Sequence, residues 1–138
     1  MKNQISVITL GVDKLNLSRK FYEEGFGWEP SKIKKSVIVY YRHGGVSLAL
    51  YDRSSLKELT GTANHSEKPN GVLLSINIGS QNEVDTLLLK AKSMGGTILK
   101  TSCETTWGTY SGFISDPDGY PFEVVWNPKW NLDNESSF

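Results

Sequence analysis

The sequence predicts an α+β fold in which two βαβββ modules form a curved mixed sheet around a cleft. The chain twice runs from an alternating strand through an amphipathic helix into β-rich segments. The interval from Val12 to Phe21 equals that from Ile78 to Leu87, and Gly45 and Gly119 each open the last strand of their half. Such a degenerate repeat of about 70 residues indicates two copies of one supersecondary unit.

Module one is predicted over residues 4–60 and opens with a strand at residues 5–12. Alternation divides the side chains of this strand between two faces, one with Ile8, Leu10 and Val12 and the other with Val7, Thr9 and Gly11. A helix follows, capped by Asp13 or Asn16 and ended by glycines. Because the helix must cover the apolar face, the opposite face is left to line the cleft.

The remainder of module one is predicted as a hairpin and a polar segment. Residues 35–41 and 46–51 form the hairpin strands around the turn His43-Gly44-Gly45. We interpret His43 as an exposed turn residue without a functional role, and His65 in the polar segment likewise. A short helix is predicted near residues 56–59.

Module two is predicted over residues 70–128 and repeats the pattern. Its strand at residues 71–78 carries apolar side chains on one face and, on the other, Leu73, Ser75 and Asn77. Ser80 and Glu83 form a capping box at the start of the next helix. Three short strands complete the module, at residues 97–100, 110–115 and 121–126, and a turn at residues 116–119 joins the last two.

Composition limits the kinds of partner and compartment. The chain has 138 residues, predicted as one domain at 1–130 with a polar tail at 131–138, and its 15 Lys and Arg balance 15 Asp and Glu. Zero net charge argues against a nucleic-acid or membrane-surface partner. No stretch approaches the roughly 20 apolar residues that span a bilayer. The single cysteine, Cys103, allows no internal disulfide, so we expect a cytoplasmic protein.

Six short motifs together resemble one protein family. Three open module one: Ile8-Thr9-Leu10-Gly11-Val12, Ser18-x-x-Phe21-Tyr22 and Phe26-Gly27-Trp28. Three close module two: Trp107-Gly108-Thr109-Tyr110-Ser111-Gly112, Asp116-Pro117-Asp118-Gly119-Tyr120-Pro121-Phe122-Glu123 and Trp126-Asn127-Pro128. In this order, over residues 4–130, they resemble the glyoxalase/bleomycin-resistance/extradiol dioxygenase (vicinal oxygen chelate) superfamily, and the resemblance implies a glyoxalase-like fold.

The resemblance also implies a divalent metal, held by His and Glu side chains on the first and last strands of the modules. The positions that match these ligands here are Val7, Ala49, Leu73 and Glu123. Only Glu123 offers a donor atom, whereas zinc and iron sites normally recruit three or more protein ligands. We therefore expect no metal and no other cofactor, with at most weak divalent binding at Glu123.

Strand parity predicts which side chains line the cleft. The expected set is Val7, Thr9, Leu73, Ser75, Asn77 and Glu123, with Trp107 and Tyr110 near the mouth. Glu123 is the candidate catalytic residue or ligand anchor, because a carboxylate in a cleft is costly unless something uses or pairs it. A purely structural carboxylate is the alternative. Parity around Gly112 leaves open whether Tyr110 or Phe113 faces the cleft.

Three functions fit these patterns. The first is a small-molecule-binding protein with a largely degenerate metal site, analogous to bleomycin-resistance proteins. The second is a lyase, isomerase or dioxygenase-like enzyme that acts on a small oxygenated substrate through Glu123. The third is a non-catalytic scaffold. Exposed sheet edges predict a homodimer. The resemblance implies the same, because members of the family commonly pair modules between chains.

Overall fold

A computed structural model describes residues 5–60, 72–106 and 108–129. The predicted tail at 131–138, Trp107 and His65 therefore lie outside the described residues. Within the described ranges, no helix is both long and apolar enough to cross a membrane.

The first module forms a four-stranded mixed sheet in the order β1-β4-β3-β2. Its strands are β1 (Val7–Val12), β2 (Lys32–Lys34), β3 (Ile38–His43) and β4 (Val46–Asp52). β1 pairs with β4 in parallel, and the other pairs are antiparallel. The short strand β2 was not predicted. A turn follows β2, in which Lys35 and Ser36 adopt positive φ angles of 50° and 59°. The strand predicted at residues 35–41 therefore begins at Ile38, three residues later than expected.

The second module repeats this topology in the order β5-β8-β7-β6. Its strands are β5 (Leu74–Asn77), β6 (Thr97–Glu104), β7 (Tyr110–Ser115) and β8 (Pro121–Trp126). The parallel pair β5–β8 corresponds to β1–β4, which confirms the α+β fold of two related modules. β5 begins at Leu74, so Leu73 precedes the strand, and β6 extends beyond the predicted Lys100.

Three helices of the described part of the chain flank these sheets. The first, α1 (Leu15–Arg19), continues into a π-helical segment (Lys20–Gly25), and Lys14 is its N-cap residue without any side-chain capping bond. The predicted capping by Asp13 or Asn16 is therefore wrong. Helix α2 (Arg53–Thr60) includes the predicted short helix. Helix α3 (Gln81–Ser93) has Ser80 as its N-cap residue, and the Ser80 Oγ accepts the Glu83 amide at 3.2 Å, as predicted.

The two modules share one hydrophobic core. Phe21, Tyr22 and Leu50 of module one are buried together with Ile114 and Phe122 of module two. The rings of Tyr22 and Phe122 lie edge to face with centroids 5.8 Å apart. The π-helical segment also packs against α3. Helices α1 and α2 contact strands of the first sheet and α3 contacts strands of the second, so the buried faces of both sheets contribute to one core.

The turn between β7 and β8 fastens the modules together. Tyr22 Oη donates to Asp116 Oδ2 at 2.7 Å, and Ser18 Oγ donates to Asp118 Oδ2 at 3.0 Å. The backbone N–H of Asp13 donates to Asp118 Oδ1, and Tyr120 Oη donates to the Gly11 carbonyl. Burial raises the pKa of the Asp116 carboxyl, although hydrogen bonds from Tyr22 and two backbone amides oppose that shift.

Candidate functional site

Glu123 lies at the centre of the open face of the second sheet, opposite the helices. The register pairs it with Ser75 on β5 and with Phe113 on β7, so these three side chains share one face. Ser75 Oγ donates a 2.8 Å hydrogen bond to Glu123 Oε1. The predicted orientation of Glu123 away from the helices is confirmed by this register, since its neighbours Phe122 and Val124 are buried in the core.

The matching face of the first sheet carries Val7 and Thr9. Val7 pairs with Ser47, and Thr9 pairs with Ala49. In a parallel pair, residues in register lie on the same face, so Val7, Thr9 and Ala49 belong together. Leu73 lies just before β5 and is 48% exposed, so strand parity does not fix its side chain as predicted.

The metal-ligand positions offer a poor donor set. Val7, Ala49 and Leu73 have no donor atoms in their side chains, and one carboxylate cannot complete a zinc or iron site. No three His, Cys, Asp or Glu side chains within the described ranges are grouped closely enough to hold a metal ion. The residues present therefore do not fit the divalent ion that the resemblance implies.

Tyr110 does not lie near the cleft mouth, and that expectation is corrected. Its register partner is Trp126, which places it on the helix-facing side of β7. Its hydroxyl donates to Asp85 Oδ1 of α3 at 2.8 Å and lies 3.1 Å from Ser102 Oγ. Phe113 is the aromatic residue of β7 on the Glu123 face.

Asn77 shares the open-face parity of Ser75, in register with Val125. Its side-chain Oδ1 is buried and finds no hydrogen-bond donor in the part of the chain that the structure describes. A buried carbonyl oxygen without a donor costs about 1–3 kcal/mol, so this position is atypical of a purely structural asparagine.

A cavity of about 310 Å³ lies where β5 approaches the first sheet. Its lining includes Ser75 and Asn77 from the predicted set and adds residues that sequence reasoning did not select: Ile8, Trp28, His43, Val46, Ser47, Leu48, Leu74, Ile76 and Phe122. His43 ends β3, and its ring meets the Trp28 ring edge to face at 4.2 Å. Partial burial lowers the pKa of His43. Val39 and Tyr41 of β3 are buried, and His43 shares their face of the strand by alternation. This alternation is the sequence signal that could have placed His43 on the core-facing side of the sheet.

Sequence comparison identifies a family. The model of the Glyoxalase/Bleomycin resistance protein/Dioxygenase superfamily matches residues 4–124. No curated protein sequence matches the chain.

Solved structures give the same result. A glyoxalase-related enzyme from Fulvimarina pelagi is 32% identical with a TM-score of 0.89, and the match covers 99% of this chain and 96% of that chain. A glyoxalase/bleomycin resistance protein/dioxygenase family enzyme from Burkholderia phytofirmans is 20% identical with a TM-score of 0.75, covering 88% and 96%. Lactoylglutathione lyase from Agrobacterium tumefaciens is 22% identical with a TM-score of 0.66, covering 95% and 98%. The last two matches support the fold alone.

Proposed function

The chain belongs to the glyoxalase/bleomycin resistance protein/dioxygenase superfamily, and we propose that it binds a small molecule around Glu123 without a resident metal. Superfamily membership supports a small-molecule-binding or enzyme-like role. The proposal that no metal is involved rests on the side chains at the four positions that match the metal ligands of the family. Three of the four metal-ligand positions are Val7, Ala49 and Leu73, which cannot coordinate an ion.

The geometry around Glu123 suits a hydrogen-bonding anchor. Ser75 holds Oε1 at 2.8 Å, and no described residue donates a hydrogen bond to Oε2. A ligand hydroxyl or N–H that donates to this oxygen would form a charge-assisted bond, which contributes roughly 1.5–3 kcal/mol. Phe113 and Val7 add apolar surface on the open faces of the two sheets. The expected ligand is therefore uncharged or weakly polar, with at least one donor group.

An enzymatic role is the second candidate, and the same oxygen favours it. A carboxylate oxygen that no described donor occupies can accept a proton from a bound substrate. Under this alternative, the protein is a lyase, isomerase or dioxygenase-like enzyme that acts on a small oxygenated substrate with Glu123 as its base. The two candidates are distinguished by incubating the protein with a compound that raises its melting temperature. An enzyme converts that compound to product, whereas a binding protein leaves it unchanged.

We also propose a homodimer in the cytoplasm. Four apolar side chains that precede or begin the edge strands β1 and β5 are each at least 43% exposed. They are Ile5, Val7, Val72 and Leu73. Exposed apolar side chains next to open strand edges favour association with a second copy.

A thermal-shift screen tests the proposed function. Neutral oxygenated and aromatic compounds would be compared on the wild-type protein and Glu123→Gln. We expect stabilising compounds to lose most of their effect in the variant. Compounds that stabilise both proteins equally would contradict binding at Glu123.

A further inference from the structure

We propose that the cavity beside β5 is a second ligand site, which binds a neutral aromatic molecule of one or two rings that carries a hydrogen-bonding group. This cavity lies on the core-facing side of the sheets, and Glu123 is not among its lining residues. The inference goes beyond the proposed function, since it depends on neither the charge of Glu123 nor the absence of a metal.

The walls of the cavity are apolar and come from both modules. Ile8 and Leu48 contribute from the first sheet, and Leu74 and Ile76 from β5. The rings of Trp28 and Phe122 lie with centroids 6.4 Å apart and nearly perpendicular planes. Apolar walls with aromatic surfaces are typical of small-ligand pockets.

The size of the cavity limits the occupant. Its volume of about 310 Å³ is roughly twice the ~150 Å³ of an apolar cavity that admits benzene. A fused two-ring molecule therefore fits, whereas most larger cofactors do not.

Polar groups line this cavity on both sides, His43 and Ser47 from the first sheet and Ser75 and Asn77 from β5. Among the described residues, β5 is an edge strand that pairs with β8 alone. Because the Ile78 amide bonds to β8, the backbone groups of the alternate residues Ser75 and Asn77 point to the free edge. The buried Asn77 Oδ1 also lacks a hydrogen-bond donor among the described residues.

The lining favours a neutral ligand. Among the described residues, it includes no Asp, Glu, Lys or Arg side chain. An ion placed here would lose hydration without gaining a counter-charge, which is strongly unfavourable. His43 is the one titratable group that the described part of the chain contributes to the lining, and its lowered pKa favours the uncharged imidazole at neutral pH.

Indole and 2-naphthol are suitable probes, and naphthalene is a probe of similar shape without a hydrogen-bonding group. Titrations of the full chain would follow the indole N–H signal of Trp28 in ¹H–¹⁵N spectra, assigned with Trp28→Phe. We expect saturable shifts with indole and 2-naphthol, and affinity for naphthalene several-fold weaker than for 2-naphthol.

Variants then locate the probe. Leu74→Trp fills the cavity and should weaken binding at least about tenfold, as expected when a ligand and a side chain compete for one volume. Leu99→Trp adds the same side chain at an exposed site and should leave affinity unchanged. Glu123→Gln should also bind the probes normally. Ser47→Phe, which substitutes the half-buried Ser47 at the cavity wall, replaces Leu74→Trp if that variant fails to fold.

Three results would overturn the proposal. The first is the absence of a saturable shift with either polar probe. The second is unchanged affinity in a folded cavity-filling variant, which would put the probe elsewhere. The third is loss of probe binding in Glu123→Gln, which would put the probe at the Glu123 face. A failed screen at Glu123 with intact probe binding would instead overturn only the proposed function.

Discussion

Ser75 Oγ donates a 2.8 Å hydrogen bond to Glu123 Oε1, although the two residues are 48 positions apart in the chain. They are direct register partners on the parallel strands β5 and β8. The serine thus orients one carboxylate oxygen. No described residue donates a hydrogen bond to the other oxygen, which can therefore accept one from a ligand. Structural support of this kind is what a ligand anchor requires, because an unrestrained carboxylate loses entropy when it binds.

The first prediction concerns this pair. Glu123→Gln keeps the size of the side chain and removes its charge, so ligand affinity should fall about 10- to 100-fold, the equivalent of a charge-assisted bond. Ser75→Ala should weaken affinity less, by roughly fivefold, because it removes only the orienting bond. Isothermal titration calorimetry with a compound from the thermal-shift screen measures both effects.

The matched control is Glu104→Gln, which removes the same charge from an exposed position on β6 of the same sheet. It should bind normally. Normal binding by Glu123→Gln with a changed melting temperature would instead assign Glu123 a structural role.

The second prediction concerns metal. Protein purified without chelator, then dialysed against zinc or manganese and desalted, should retain far less than one ion per chain, since a single carboxylate is a weak site. Elemental analysis by mass spectrometry is the measurement. Any weak binding should disappear in Glu123→Ala. Retention of about one ion per chain would contradict the metal-free proposal and favour the enzymatic alternative.

The sequence predicted the features that depend on local periodicity. Alternation along β1 and β8 placed Thr9 and Glu123 on the open faces, and the spacing of Ser80 and Glu83 placed the start of α3. These signals work because side-chain parity and helix capping involve residues only a few positions apart.

Features that depend on tertiary contacts were missed. Tyr110 and Gly112 lie on the same face of β7, and Gly112 lies against Leu88 of α3. The absence of a side chain at Gly112 was therefore the sequence signal that this face packs against a helix. The bond from Asp13 to Asp118 joins residues 105 positions apart, and no local pattern predicts it. The cavity beside β5 is likewise formed by both modules, and no local pattern predicts it.

The third prediction tests the close approach of α3 to β7. A Cβ added at Gly112 would lie 2.5 Å from Leu88 Cδ1 and 3.1 Å from the Ser102 backbone. Gly112→Ala should therefore reduce the free energy of unfolding by about 1–3 kcal/mol through overpacking. Urea denaturation measures this change.

Gly45→Ala is the control for Gly112→Ala, because a Cβ at Gly45 meets nothing within 4 Å. It should change the free energy of unfolding much less. Equal effects of the two variants would show that glycine loss itself, rather than the contact with Leu88, determines stability.

The fourth prediction concerns Tyr22, which is fully buried and donates to Asp116. Burial, reinforced by the nearby Asp116 charge, raises the pKa of Tyr22 well above its usual range. Tyr22→Phe leaves Asp116 without this donor and should lower the free energy of unfolding at pH 7 by about 1–3 kcal/mol. Chemical denaturation at constant temperature measures this difference.

The same tyrosine makes stability depend on alkaline pH. Since the folded state keeps Tyr22 protonated while the unfolded chain loses the proton near pH ~10, its contribution is complete below that pH and is lost as pH rises further. Each such group steepens the loss by up to about 1.4 kcal/mol per pH unit. The raised pKa values of Tyr41 and Tyr120 act in the same direction. Between pH 9.5 and 11 (roughly the window set by the ordinary tyrosine pKa), Tyr22→Phe should therefore lose stability less steeply than the wild type. Identical slopes for Tyr22→Phe and the wild type would mean that Tyr22 ionises equally in both states and that its bond to Asp116 does not protect the proton.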